Sequence, residues 1–146
     1  MGNDTVQRAF STVTAGGTPV SWLGVNFWSR RGGPLMWAQY DGATVAEELT
    51  VLADHGLTMT RSFLYWPHFQ PTPDTLDEEM LERFSDFLDR HSAVGLTTVP
   101  TFLVGHMSGE NWDPSWRGDR DLYADVWLVG RQAWYVREFV KRFGEV

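Results

Sequence analysis

The chain has 146 residues, of which 42% are hydrophobic, 14% aromatic and 21% charged, a balance that excludes a disordered chain and is long enough to bury a core. Twelve Lys and Arg against nineteen Asp and Glu give a net charge of −7, so neither nucleic acid nor an anionic membrane is an expected partner, because counterion-release binding needs clustered cations. There is no cysteine, which excludes disulfides, zinc thiolates and thiol nucleophiles.

The N-terminus Met1-Gly2-Asn3-Asp4 is polar and lacks an apolar h-region, and no stretch reaches membrane-spanning length, so a soluble, cytoplasmic protein is expected. Residues 8–20 alternate apolar and polar around Ala15-Gly16-Gly17, which predicts a β-hairpin. It would make residues 1–20 a cap on one end of a main body formed by residues 21–146. Residues 22–28, an apolar run rich in aromatic and β-branched side chains, form the first predicted strand.

After a Gly-rich loop, residues 44–55 carry Val45, Leu49, Leu52 and Ala53 at helical spacing, and Gly56 follows as a C-terminal stop. Residues 57–65 read as a second strand. Thr75-Leu76-Asp77-Glu78 has the form of a capping box and opens a helix whose buried stripe is Leu81, Phe84, Phe87 and Leu88. Residues 96–104 form a continuous apolar and β-branched run, the pattern of a parallel strand buried on both faces. Residues 124–143 predict a long amphipathic helix with Leu128, Trp134, Phe139 and Phe143 among its apolar positions.

Alternating strands and helices imply an α/β fold with a parallel sheet, either doubly wound or closed as a barrel. Periodicity does not separate the two. No Gly-rich phosphate fingerprint follows a strand, since Gly32-Gly33 runs into Pro34 inside a long loop, so nucleotide binding is the weaker option.

In such folds ligands bind beyond the C-terminal ends of the strands. Those positions hold Asn26, Trp28 and Arg30 after the first run; Arg61, Tyr65, Trp66 and His68 after the second; and His106, Glu110, Asn111, Trp112, Asp113 and Trp116 after the third. Flat aromatic rings beside amides, carboxylates and guanidinium groups suit a carbohydrate, which offers a C–H face to the ring and hydroxyls to the polar groups. Against this stands the reading that the Trp residues close the core.

Three stretches carry a resemblance: Gly24-Val25-Asn26-Phe27-Trp28; Thr60-Arg61-Ser62-Phe63; and Val99-Pro100-Thr101-Phe102-Leu103-Val104-Gly105-His106 with Ser108-Gly109-Glu110-Asn111-Trp112. Together they resemble glycoside hydrolase family 5, in its cellulase-like and β-mannanase-like members. The likeness implies a partial (β/α)8 TIM barrel, an N-terminal hairpin plus the first three βα units. It also implies retaining hydrolysis of β-linked glucan-type or mannan-type saccharides by two glutamates about 5 Å apart. The resemblance places those glutamates on strands four and seven, outside the stretch matched here, so no catalytic residue is expected in this chain, which by itself would be inactive. It assigns a supporting role to Arg61, which orients the nucleophile in the family, and to His106, which reaches a sugar hydroxyl. Asn26, Trp28, Trp66, Glu110, Asn111, Trp112 and Trp116 would line the substrate cleft.

Each role has a plain alternative: Arg61 could pair with an acidic neighbour, and His106 could cap a loop. Glu110 and Asp113 as acid and base are disfavoured, because two groups close together on one flexible loop do not oppose each other across a bond. His55, His68 and His91 lack metal-ligand spacing, so neither a metal nor a cofactor is predicted, and no G-x-S-x-G is present. Three strands of a barrel leave open sheet edges, which predicts self-association. Two other readings are a noncatalytic carbohydrate-binding module or split-barrel subunit, and an unrelated small α/β domain in which Trp28, Trp66, Trp112 and Trp116 are buried.

Overall fold

A computed structural model describes residues 22–144, together with the backbone of two short strands, β1 (Thr14–Ala15) and β2 (Thr18–Pro19). These two strands pair antiparallel with Ala15 opposite Thr18, at the place of the expected hairpin. The rest of residues 1–20 lies outside the described residues.

The main sheet is parallel and three-stranded, in the order β3 (Gly24–Phe27), β4 (Met59–Phe63), β5 (Thr97–Thr101). Helix α1 (Gly42–Asp54) joins β3 to β4, and α3 (Glu78–Ala93) joins β4 to β5 after a single turn of helix, α2 (Trp66–Phe69). Helix α4 (Val126–Phe143) follows β5. The chain thus forms three successive βα units around a parallel sheet. Each strand is shorter than its apolar run, because the parallel ladder pairs only the middle of it.

Local chemistry sets the helix boundaries. The Asp41 carboxylate accepts from the backbone N–H groups of Ala43 and Thr44 at the start of α1, and Asp125 accepts from Leu128 N–H at 2.8 Å to open α4. Gly56, just past α1, has φ of 79°, a left-handed backbone that suits glycine. At α3 the capping box is displaced. Asp77, rather than Thr75, is the cap, accepting from Met80 N–H at 3.0 Å, while the Thr75 hydroxyl lies 2.6 Å from that of Thr72. Asp and Thr compete for the cap, and here Thr75 is held in a bridge to Thr72. Glu78 and Glu79 in the first turn and Arg90 and His91 in the last complement the α3 dipole.

The core lies between one face of the sheet and the helices. Trp37 sits at its centre, with ring centroids 5.2 Å from both Phe69 and Phe87, and its indole N–H donates to the Phe63 carbonyl at 2.7 Å. Phe139 of α4 extends the cluster, 4.8 Å from Phe84 and 4.9 Å from Phe102. A polar seam crosses this face. Buried His91 donates through Nδ1–H to the Phe87 carbonyl at 2.8 Å, and its Nε2 lies 2.9 Å from Thr60 Oγ1, which is 3.0 Å from Thr98 Oγ1. Burial holds the His91 imidazole below its ordinary pKa, in the neutral form.

The other face of the sheet departs from expectation. The 96–104 run was expected to be buried on both sides, yet Val99 is 48% exposed and Leu103 39%. The described helices pack on the opposite side, so these alternate residues are left partly exposed.

Candidate functional site

The register sets Asn26 of β3 beside Arg61 of β4 and Val99 of β5 on the face without helices. Arg61 is held from two directions. Its Nε–H donates to Thr101 Oγ1 at 2.8 Å, and its guanidinium carbon stands 4.8 Å from the centre of the Phe63 ring. Among the described residues it has no carboxylate partner, so the acidic neighbour envisaged for it is not there. Thr101 and Phe63 escaped the sequence reading as site residues. The signal was their period-two relation to Arg61 and Val99, which becomes usable only once the register is known.

Trp28 follows β3 at the C-terminal end of this face, 40% exposed, with its ring 5.7 Å from Phe63. Next to it, the segment after β5 turns back on itself as a tight hairpin, β6 (His106–Met107) against β7 (Glu110–Asn111). Its two turn residues, Ser108 and Gly109, have φ of 56° and 83°, the left-handed pair that a two-residue hairpin requires. The segment is therefore a structured arm and not the flexible loop expected. It places His106 directly opposite Asn111, with His106 Nδ1 2.8 Å from Asn111 Oδ1. Glu110 and Asn111 are exposed on its outer strand.

The other tryptophans have structural surroundings. Trp112 is buried beneath the hairpin against Phe63, Val104, Tyr65 and Met107, and its backbone N–H donates to the Gly105 carbonyl at 3.1 Å. Trp66 is buried in the core, and its indole N–H donates to Gln70 Oε1 at 2.7 Å. Half-buried Trp116 donates to the Gln70 carbonyl at 2.9 Å and meets Trp66 edge-on. Of the four tryptophans expected in a cleft, Trp28 is the most exposed. Trp112 supports the hairpin from below.

Asp113 is tied to Arg117 at 2.6 Å, a further reason against an acid and base role beside Glu110. His68 packs edge-on against Tyr65 at 4.5 Å, and desolvation lowers its pKa. Among the described residues no group of three or more His, Cys, Asp or Glu is arranged to hold a metal ion, and no helix is long and apolar enough to cross a membrane. The arrangement is an open shelf of one guanidinium, one imidazole, two amides and one indole face. Such groups bind and orient hydroxyls and developing charge.

No family model and no curated protein matches the chain. Solved structures do. An exo-β-1,4-mannosidase from Opitutaceae bacterium strain TAV5 is 32% identical over 88% of this chain, with a TM-score of 0.83, and the chain spans 24% of its length. A GH5_18 protein from Streptomyces cattleya, solved in complex with Manβ1-4GlcNAc, is 29% identical over 80% of this chain, with a TM-score of 0.76 and 29% of its own length covered. A GH5_18 protein from Bifidobacterium longum subsp. longum, 20% identical over 84% of this chain with a TM-score of 0.79 and 30% of its length covered, supports the fold alone. The chain therefore spans 24–30% of the length of these structures.

Proposed function

The chain carries the N-terminal part of a glycoside hydrolase family 5 barrel, and from that premise we propose that it supplies one wall of a cleft for β-linked manno- or gluco-oligosaccharides. The reading rests chiefly on one observation: Arg61, without an acidic partner among the described residues, sits in register with Asn26 on the uncovered face, and Trp28, two residues after Asn26, exposes its ring. An exposed guanidinium held in place by Thr101 and Phe63 keeps N–H donors free for an anionic group or for several acceptors. In a retaining glycosidase that anion is the nucleophile carboxylate, which Arg61 orients and keeps ionised, while His106 and Asn26 bind hydroxyls of the sugar and Trp28 packs on its C–H face.

The carboxylate pair belongs to strands other than the three described here, so the chain alone is expected to bind saccharide without cleaving it. Of the two other readings, the binding module or split-barrel subunit agrees with the uncovered face. The unrelated small domain is half met by the burial of Trp66 and Trp112, but it leaves the likeness to the mannosidases without a cause.

The test is a titration of intrinsic Trp fluorescence with manno- and cello-oligosaccharides beside a reducing-sugar assay. Saturable binding without product, weakened by Trp28→Ala and Arg61→Ala, is the expected result. Hydrolysis lost in Glu110→Gln or Asp113→Asn would refute the assignment of the carboxylates to other strands, and absence of any binding would refute the cleft.

A further inference from the structure

The β6–β7 hairpin makes a polar contact whose chemistry restricts what His106 can bind. Asn111 Oδ1 lies 2.8 Å from His106 Nδ1, between residues directly opposed in the two-residue hairpin. An amide oxygen can only accept, so the nitrogen facing it must carry the proton. In the neutral ring Nε2 is then left with a lone pair. The arm holding these two residues is braced: the left-handed Ser108-Gly109 turn fixes the register, and buried Trp112 anchors the base against Phe63 and Val104.

We infer that Asn111 is a positioning residue that locks His106 in its Nδ1–H tautomer, so that Nε2 presents an acceptor to a hydroxyl of the bound saccharide. This rests on the cleft reading above and revises one part of it: Asn111 acts through His106 instead of touching the sugar. The consequence is a selectivity rule. His106 requires a hydroxyl donor at the position it meets, and a deoxy or O-methyl sugar there leaves a polar group unpaired and binds more weakly.

The tautomer can be observed without any sugar, by long-range ¹⁵N–¹H correlation of the histidine side chains in the full chain above pH 7. His106 is expected to be protonated at Nδ1 in the wild type, to lose that bias in Asn111→Ala, and to regain it in Asn111→Asp, whose carboxylate also accepts. The backbone amides of Gly105 and Trp112 report whether the hairpin stays folded in each variant, and Asn111→Ser gives a second, smaller truncation should Asn111→Ala unfold it. A wild-type His106 protonated at Nε2, or a tautomer unchanged in a folded Asn111→Ala or Asn111→Ser variant, overturns the inference. Addition of mannobiose is then expected to shift the His106 Nε2 resonance in the wild type. A locked tautomer with an Nε2 unmoved by mannobiose and cellobiose overturns the acceptor role and the cleft reading together, while the Asn111 lock itself stands.

Discussion

The two faces of the three-stranded sheet are built from alternate residues of the same strands and have opposite fates. On one face Phe27, Thr60, Ser62 and Leu64 are almost wholly buried under α1, α3 and α4, and even the hydroxyls and His91 are hydrogen-bonded. On the other, Asn26, Arg61, Val99 and Leu103 remain exposed, and only Phe63 is covered, by the hairpin and Trp112. Stability therefore resides on the helix side, and the groups with chemistry to offer reside on the uncovered side. A strand can serve both purposes because its side chains alternate with period two.

That contrast is open to test by substitution, beginning with the largest effect. Phe87→Ala removes a ring packed on Trp37, Phe84 and Phe27, and is expected to destabilise the chain by about 3–5 kcal/mol in urea unfolding. A loss below about 1 kcal/mol would mean that the covered face is not the core.

The polar seam responds to pH. His91 is held below its unfolded value of 6.5, so the unfolded chain takes up a proton before the folded one does. Stability on this account is fully present above that value and declines as the pH falls below it, with a slope approaching about 1.4 kcal/mol per pH unit for one proton. His91→Gln should flatten this part of the stability profile. An unchanged slope would assign the acid sensitivity to another group, His68 being the nearest candidate because burial depresses it as well.

Tyr135 is fully buried, its ring packed edge-on against Phe102, and its hydroxyl has no hydrogen-bond partner among the described residues. Burial raises its pKa well above the usual phenol value. Tyr135→Phe is thus expected to stabilise the chain by up to about 1 kcal/mol, and a loss of stability would reveal a partner for the hydroxyl. Smallest of all, Val99→Asp on the uncovered face should change monomer stability by no more than about 0.5 kcal/mol. Its larger effect should appear in sedimentation velocity. The wild type is expected to self-associate with rising concentration through this face and its free edges, and the aspartate to disperse it. A wild-type chain that stays monomeric at all concentrations would remove self-association from the picture.

Much of the fold was legible beforehand. The apolar runs at 22–28, 57–65 and 96–104 each contain a strand, and the helical stripes at Val45 and Leu49, at Phe84 and Phe87, and at Leu128 and Phe139 point into the core. The site was legible only in part. Trp66, Trp112 and Trp116 look alike in sequence to Trp28, yet three of them serve as supports. The difference lies in which partner reaches each indole, such as Gln70 for Trp66 and Trp116, and that is a contact across the fold.

The sequence by itself determined the kinds and order of the main strands and helices and the concentration of polar and aromatic groups after each strand, because period and glycine placement are local properties. Only the tertiary structure decided which strand face is covered, that Arg61 is held by Thr101 and Phe63, and that His106 meets Asn111. Register and burial arise from contacts between residues far apart in the chain, and nothing in the local pattern of a strand says which side the helices will take.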